Sequence, residues 1–209
     1  MNNLLYLESY CFGKIFCIVK NKKIIFLYST FVLLFILLLS ETSFAQCGKE
    51  RWDVKTLTDK DTTKIDFENI IQTTVSEQCS LKRPQKVKNM PRMKSETTVY
   101  EIVAYIIEYK KESDRDFHVV IEDPETEETM VVEILDPECP DIDNTSRYGI
   151  FKEVRDWFKE YFHPTSSFKT TKKKVKLTGV GFFDYLHGQR GMAPNGREIH
   201  PVLSIGFVI

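Results

Sequence analysis

Four side chains stand out as able to do chemistry: His118, Glu133, Glu198 and His200. Glu198 and His200 are two apart in a segment that reads as a strand, so both point to one face. By the same alternation His118 shares a face with Asp116, and Glu133 lies on the neighbouring strand. Imidazoles and carboxylates suit a divalent metal, which would activate water for hydrolysis with a carboxylate as base. His187, Glu198 and His200, with Asp184, are the side chains of the C-terminal segment that suit a divalent metal, and the sequence calls for no cofactor beyond it. No H-E-x-x-H or similar compact signature is present, and such residues also brace long loops by hydrogen bonding. A second set, His187, Gln189, Arg190, Asn195 and Arg197, lies in a glycine-rich stretch and offers ligand-binding groups. Gly188, Gly191 and Gly196 there allow either close approach to a ligand or positive φ in tight turns. No G-x-S-x-G elbow supports a serine nucleophile. Cys139, between Pro137 and Pro140, reads as a strand terminator and bridge anchor rather than a catalytic thiol.

These residues need a scaffold, and the cleanest signal for one begins at Thr97. Val99–Tyr109 is rich in β-branched and aromatic residues with apolar positions every second residue. A charged turn, Lys110–Arg115, leads to a half-buried strand over Phe117–Glu122, and an acidic turn leads to a third strand, Thr129–Leu135. A helix then opens near the capping residues Asn144–Ser146. Ile150, Val154, Trp157, Phe158 and Tyr161 form its apolar stripe, and His163-Pro164 ends it. After a basic linker, Lys169–Lys176, come strands at Val175–Phe183 and about His200–Val208. Three strands, a helix and two strands predict a mainly β, α+β domain. The order is that of an OB-fold: a five-stranded barrel with its helix between strands three and four. A generic α+β sandwich is the alternative.

Before the barrel, residues 46–96 read as an irregular N-terminal arm packing on it. Trp52 and Val54 dock from a short strand or arm, and Lys82, Arg83, Lys86, Lys88, Arg92 and Lys94 lie in an extended, solvated segment broken by Pro84 and Pro91. In the barrel reading, the loops at Lys110–Arg115 and Asp184–Arg197 flank the face that OB-folds use for oligonucleotides or oligosaccharides. Only one of Phe182 and Phe183 is expected to be buried, and Phe182 or Tyr185 is the candidate stacking platform. Lys172-Lys173-Lys174 reads as a solvated linker rather than a phosphate site.

Glu50-Arg51-Trp52 with Val54-Lys55-Thr56, Asp116 with His118, Asp136-Pro137 before Cys139, and Gly179-Val180-Gly181-Phe182-Phe183-Asp184 through His187-Gly188-Gln189, Ala193-Pro194-Asn195-Gly196 and Glu198 to His200-Pro201-Val202-Leu203 form a distinctive set. With them the chain resembles a family of short, uncharacterised secreted bacterial proteins. The resemblance spans nearly the whole chain after residue 45. It implies a shared fold and export, and carries no activity across.

Export is also read from the residues. Ile24–Leu39 contains no charge, Lys20, Lys22 and Lys23 precede it, and Ser43 and Ala45 suit the −3 and −1 positions of a cleavage site before Gln46. The run falls short of the ~20 apolar residues of a span, so residues 1–45 are expected to be a cleaved signal peptide and to leave no stable membrane span. The remaining chain has 25 basic and 28 acidic residues, a net charge of −3, with no global field to attract nucleic acid. Cys47, Cys79 and Cys139 become disulfide candidates in a periplasmic or extracellular setting, with one thiol left over and the pairing open. Domain boundaries are thus 1–45, 46–96 and 97–209. The leading functional expectation is a non-enzymatic binding module for an oligosaccharide or nucleic acid. Alternatives are a metal-dependent, nuclease-like hydrolase and a structural envelope protein.

Overall fold

The computed structural model describes residues 47, 48, 50–88, 90–140, 142, 143 and 145–208. The expected signal peptide, the site before Gln46 and the Asn144 cap lie outside the described residues. Among those described, no helix is long and apolar enough to cross a membrane.

The protein is mainly β. In chain order the elements are α1 (Trp52–Lys55), a 3-10 turn (Lys60–Lys64), β1 (Ile70–Thr73), α2 (Val75–Ser80), a 3-10 turn (Lys94–Glu96), β2 (Val99–Lys111), β3 (Phe117–Glu122), β4 (Thr129–Ile134), α3 (Tyr148–Phe162), β5 (Lys169–Phe183) and β6 (Arg197–Phe207). Antiparallel ladders join β2 to β3, β3 to β4, β5 to β6 and β2 to β5, while β4 pairs in parallel with β6. Each of β2–β6 therefore has two neighbours within that set, and β1 adds a parallel pairing to the start of β2. Val119, Ile121, Met130, Val132, Ile134 and Ile199 face one core, closed by Val154, Phe158 and Phe162 of α3. Their alternation sends His118, Glu133, Glu198 and His200 to the opposite face.

Several expectations are corrected. β3 is buried on both faces, not one, because the loop after β5 covers its polar side: a Cβ on Gly191 would meet Val120 at 2.2 Å. Phe182 and Phe183 are both buried, so Phe182 is no stacking platform. The face of α3 that packs inward carries Phe151, Val154, Arg155, Phe158 and Phe162; Tyr161 is 51% exposed. A hydropathy stripe misses this face because it includes a charge. Arg155 stacks 3.5 Å from Phe117 and donates to the carbonyls of Ile134 and Arg115 at 2.9 and 2.6 Å. The supposed linker Lys169–Lys176 is the first half of β5, paired with β2, and its lysines reach Glu122 and Glu101 on β3 and β2.

The arm is more ordered than its composition suggests. Trp52 and Val54 dock from a helix, not a strand, and α2 carries a full capping box between Thr74 and Glu77. Arginines pin the arm. Arg51 forks onto Glu96 at 2.7 and 2.9 Å, and Arg92 grips Asp59. Arg83 donates to the carbonyls of Asp184 and Asn195 at 2.8 and 2.7 Å. Arg83 and Arg92 thus leave the solvated cluster in which their prolines placed them.

Candidate functional site

Strand register assembles the site. His118 on β3 lies directly opposite Glu133 on β4. The β4–β6 ladder matches Val131 with Glu198 and Val132 with Ile199, so the next step sets His200 beside Glu133. Three neighbouring strands therefore put His118, Glu133 and His200 in one row. Asp116, just before β3, comes within 3.8 Å of His200 Nε2. Above this face, α1 brings Lys55, whose ammonium lies 3.6 Å from Asp184 at the end of β5. A cavity of about 320 Å³ results. Its walls are Glu133 and His200 from the sheet, Lys55 from α1, Glu112–Asp114 from the β2–β3 loop, and Asp184, His187 and Gln189 from the β5–β6 loop.

Burial without enough partners defines the electrostatics. Glu133 Oε2, both ring nitrogens of His200, Gln189 Oε1 and both carboxylate oxygens of Glu198 are buried with no hydrogen-bond partner among the described residues. Of these residues Glu133, His200 and Gln189 line the cavity, and unpartnered groups on such a wall are what a ligand or ordered water normally satisfies. Burial pushes Glu198 and Asp116 well above the usual carboxylate range, helped by neighbouring carboxylates. It pushes His200 well below the usual histidine value, with Lys55 and Arg92 adding to the effect. Burial also opposes charge on Lys55, yet Asp184, Glu198, Glu133 and Asp116 outweigh it and raise the ammonium's pKa. Clustered shifts of this kind in a cleft make it the candidate functional site.

The sequence candidates divide. His187 is 47% exposed at the side chain, 3.8 Å from Asp184, and joins Gln189 on the cavity wall. Arg190 contributes its carbonyl to His118 at 2.9 Å, while its guanidinium turns to Glu108 and the Phe168 ring. Asn195 and Arg197 turn away from the cavity wall to their own chain. Asn195 donates to the carbonyls of Gln78 and Leu81, and Arg197 is fully buried on Gln78 Oε1 and the Ser95 carbonyl. Both fasten the arm to the start of β6. Gly181 belongs to that fastening, since a Cβ there would meet the Arg197 guanidinium at 1.8 Å. Gly188, Gly191 and Gly196 all take positive φ, as tight turns require.

The proposed metal set is corrected too. His118, Glu133, Glu198 and His200 share a face, but no three His, Cys, Asp or Glu among the described residues converge as a metal-binding group. His118 Nδ1 is engaged by Glu133 Oε1 at 3.1 Å and its Nε2 by the Arg190 carbonyl. Cys47 and Cys139 form a disulfide, and Cys79 is the free thiol among the described residues, pushed up to about 11 mainly by burial. Lys55 was given no role by its sequence position. Its only signal was its place in the Glu50–Thr56 motif.

The buried carboxyls set a pH dependence. A carboxyl whose folded pKa is raised holds a proton that the unfolded chain releases, so its stabilising contribution is complete below about pH 4 and is lost as pH rises. His200, with its pKa depressed, works oppositely: stability is lost as pH falls below about 6.5, where the unfolded imidazole charges. Glu198→Gln is therefore expected to stabilise the fold by about 1–2 kcal/mol at pH 8 and to change little at pH 4. Urea unfolding at both pH values measures this; equal effects at the two would contradict it.

No protein-family model matches this chain, and no curated protein sequence matches it either.

Proposed function

We propose that the ring of ladders through β2, β3, β4, β6 and β5 is a five-stranded barrel of the OB type, with α3 inserted between its third and fourth strands. The protein is then an exported binding module of the secreted bacterial family its motifs resemble. Its ligand enters the cavity between the β2–β3 and β5–β6 loops. An oxidising destination is supported by the Cys47–Cys139 bridge together with the sequence of residues 1–45.

The observation that carries the ligand reading is the set of orphaned polar atoms on the cavity wall. Glu133 Oε2 and Gln189 Oε1 accept hydrogen bonds, and Glu112, Asp114 and Asp184 add further carboxylates around one lysine. Such a wall favours a ligand rich in donors. A nucleic-acid backbone brings only acceptors and negative charge, whereas a saccharide brings hydroxyls. An oligosaccharide is the better occupant.

Titration of the purified protein with neutral oligosaccharides and with single-stranded oligonucleotides tests this. Saccharide binding is expected, weakened about 5- to 10-fold by Gln189→Ala, the worth of one hydrogen bond. Salt-sensitive oligonucleotide binding with no saccharide binding would overturn the reading.

A further inference from the structure

Glu133 is held through one oxygen and free at the other. Its Oε1 lies 3.1 Å from His118 Nδ1, while Oε2 is buried without a partner in a residue that lines the cavity. The Arg190 carbonyl, 2.9 Å from His118 Nε2, only accepts, so Nε2 carries a hydrogen. The His118–Glu133 contact then shares a single proton, whichever partner holds it. A carboxylate oriented by a histidine and lining a polar cavity has the arrangement of a general base. On the same wall Lys55 is the only lysine or arginine among the described residues, with its ammonium 3.6 Å from Asp184.

We infer that this cavity hydrolyses carboxylic esters on hydroxyl-rich ligands, with Glu133 as general base, His118 positioning it, and Lys55 facing the oxyanion. The inference rests on reading the cavity as a saccharide site. Glu133 Oε2 takes a proton from water as the water oxygen bonds to the ester carbonyl carbon. The carbonyl π electrons move onto oxygen, and that charge faces the Lys55 ammonium. The C–O bond to the alcohol then breaks, the carbonyl reforms, and the departing oxygen takes the proton back from Glu133. One water is consumed, one carboxylic acid and one alcohol form, and no metal or redox partner is needed.

The ester reading rests on Lys55, a lysine held cationic by its neighbours, which stabilises an oxyanion and donates protons poorly. Glycoside hydrolysis calls instead for a carboxyl pair flanking the bond. Glu112, Asp114 and Asp184 stand on the same wall as Glu133, so release of reducing sugar from deacetylated xylan would overturn the ester reading. Burial raises Glu133 above its usual range although the His118 contact pulls it down, which moves it toward the range of a base working near neutral pH.

The test uses purified protein with p-nitrophenyl acetate and acetylated xylan, alongside a titration with deacetylated xylan. Acetate release above the buffer rate, unaffected by EDTA, is expected. Glu133→Gln is expected to lower kcat/KM by about 100-fold or more with the melting temperature retained. If that variant does not fold, Glu133→Asp replaces it, with a loss of about 10-fold expected from a retracted base. His118→Asn is expected to move the acid limb of the kcat/KM profile to higher pH, because His118 lowers the Glu133 pKa; a purely structural role would leave that limb in place. Absence of turnover, loss of turnover with EDTA, or full activity in the Glu133 variant overturns the inference. Xylan binding without turnover would leave the saccharide reading intact and remove only the esterase. Turnover of p-nitrophenyl acetate without xylan binding would do the reverse.

Discussion

Replacing Cys47 and Cys139 together by serine lowers the stability of the fold by about 4 kcal/mol. The two cysteines are 92 residues apart, and closing a loop of that size removes about 4–5 kcal/mol of unfolded-chain entropy. The arginine pins already order part of the loop in the native state, but they do not constrain the unfolded chain, so most of that contribution survives. Cys139 is buried beside Leu57, Leu135, Ile142 and Phe151, with Cys47 packed at the edge of the same cluster. The bridge therefore ties the start of the described chain to the segment between β4 and α3. Urea unfolding with and without dithiothreitol measures the effect, and Cys79→Ser serves as the control expected to change little. A difference under 1 kcal/mol on reduction would mean that the arginines alone hold the arm.

Arg92→Met is expected to cost about 3–5 kcal/mol, the range for removing one partner of a buried ion pair. The Arg92 side chain is fully buried. Nε and Nη2 reach Asp59 at 3.0 and 2.7 Å, Nη1 donates to the Glu96 carbonyl at 3.1 Å, and Nη2 also donates to the Val54 carbonyl. Burial pushes the Asp59 carboxyl up, but Arg92 more than offsets this and leaves its pKa below the usual value. A depressed carboxyl stabilises above its unfolded pKa of about 4 and loses that contribution as pH falls through the folded value. The penalty for Arg92→Met should thus be largest near pH 7 and shrink in acid, with Asp59→Leu in the same background recovering part of it. The Val54 carbonyl precedes Lys55, so the variant should also weaken ligand binding. Full stability with normal binding would show that α1 is positioned by other contacts.

Local pattern carried much of the architecture. Alternating β-branched and aromatic residues mark β2, the charged turn separates β2 from β3 and the acidic turn β3 from β4, and Pro164 ends α3, because these signals act over a few neighbouring residues. The same alternation put Glu198 and His200 on one face. What local pattern misjudged was burial. Arg155, Arg197 and Arg92 look like surface charges in sequence, and each is buried because carbonyls or carboxylates far along the chain receive its donors. α1 and the 63–95 segment were underestimated for the same reason: short helices are stabilised here by tertiary contacts, not by propensity.

The candidate site shows the same division. His118, Glu133, Glu198 and His200 were legible as groups able to do chemistry, and strand alternation put Glu198 and His200 on one face, while the β3–β4 and β4–β6 pairings brought the strands together. Sequence also supplied the two loops that enclose the cavity and the His187 and Gln189 side chains on its wall. Only the tertiary structure could supply Lys55, since it arrives on a separate helix from the far end of the chain. It likewise assigned Asn195 and Arg197 to the arm and engaged His118 with Glu133 and a backbone carbonyl instead of leaving it open. Residue type determines what a group can donate, accept or ionise; whether it does so toward a ligand or toward its own chain depends on what the fold packs against it.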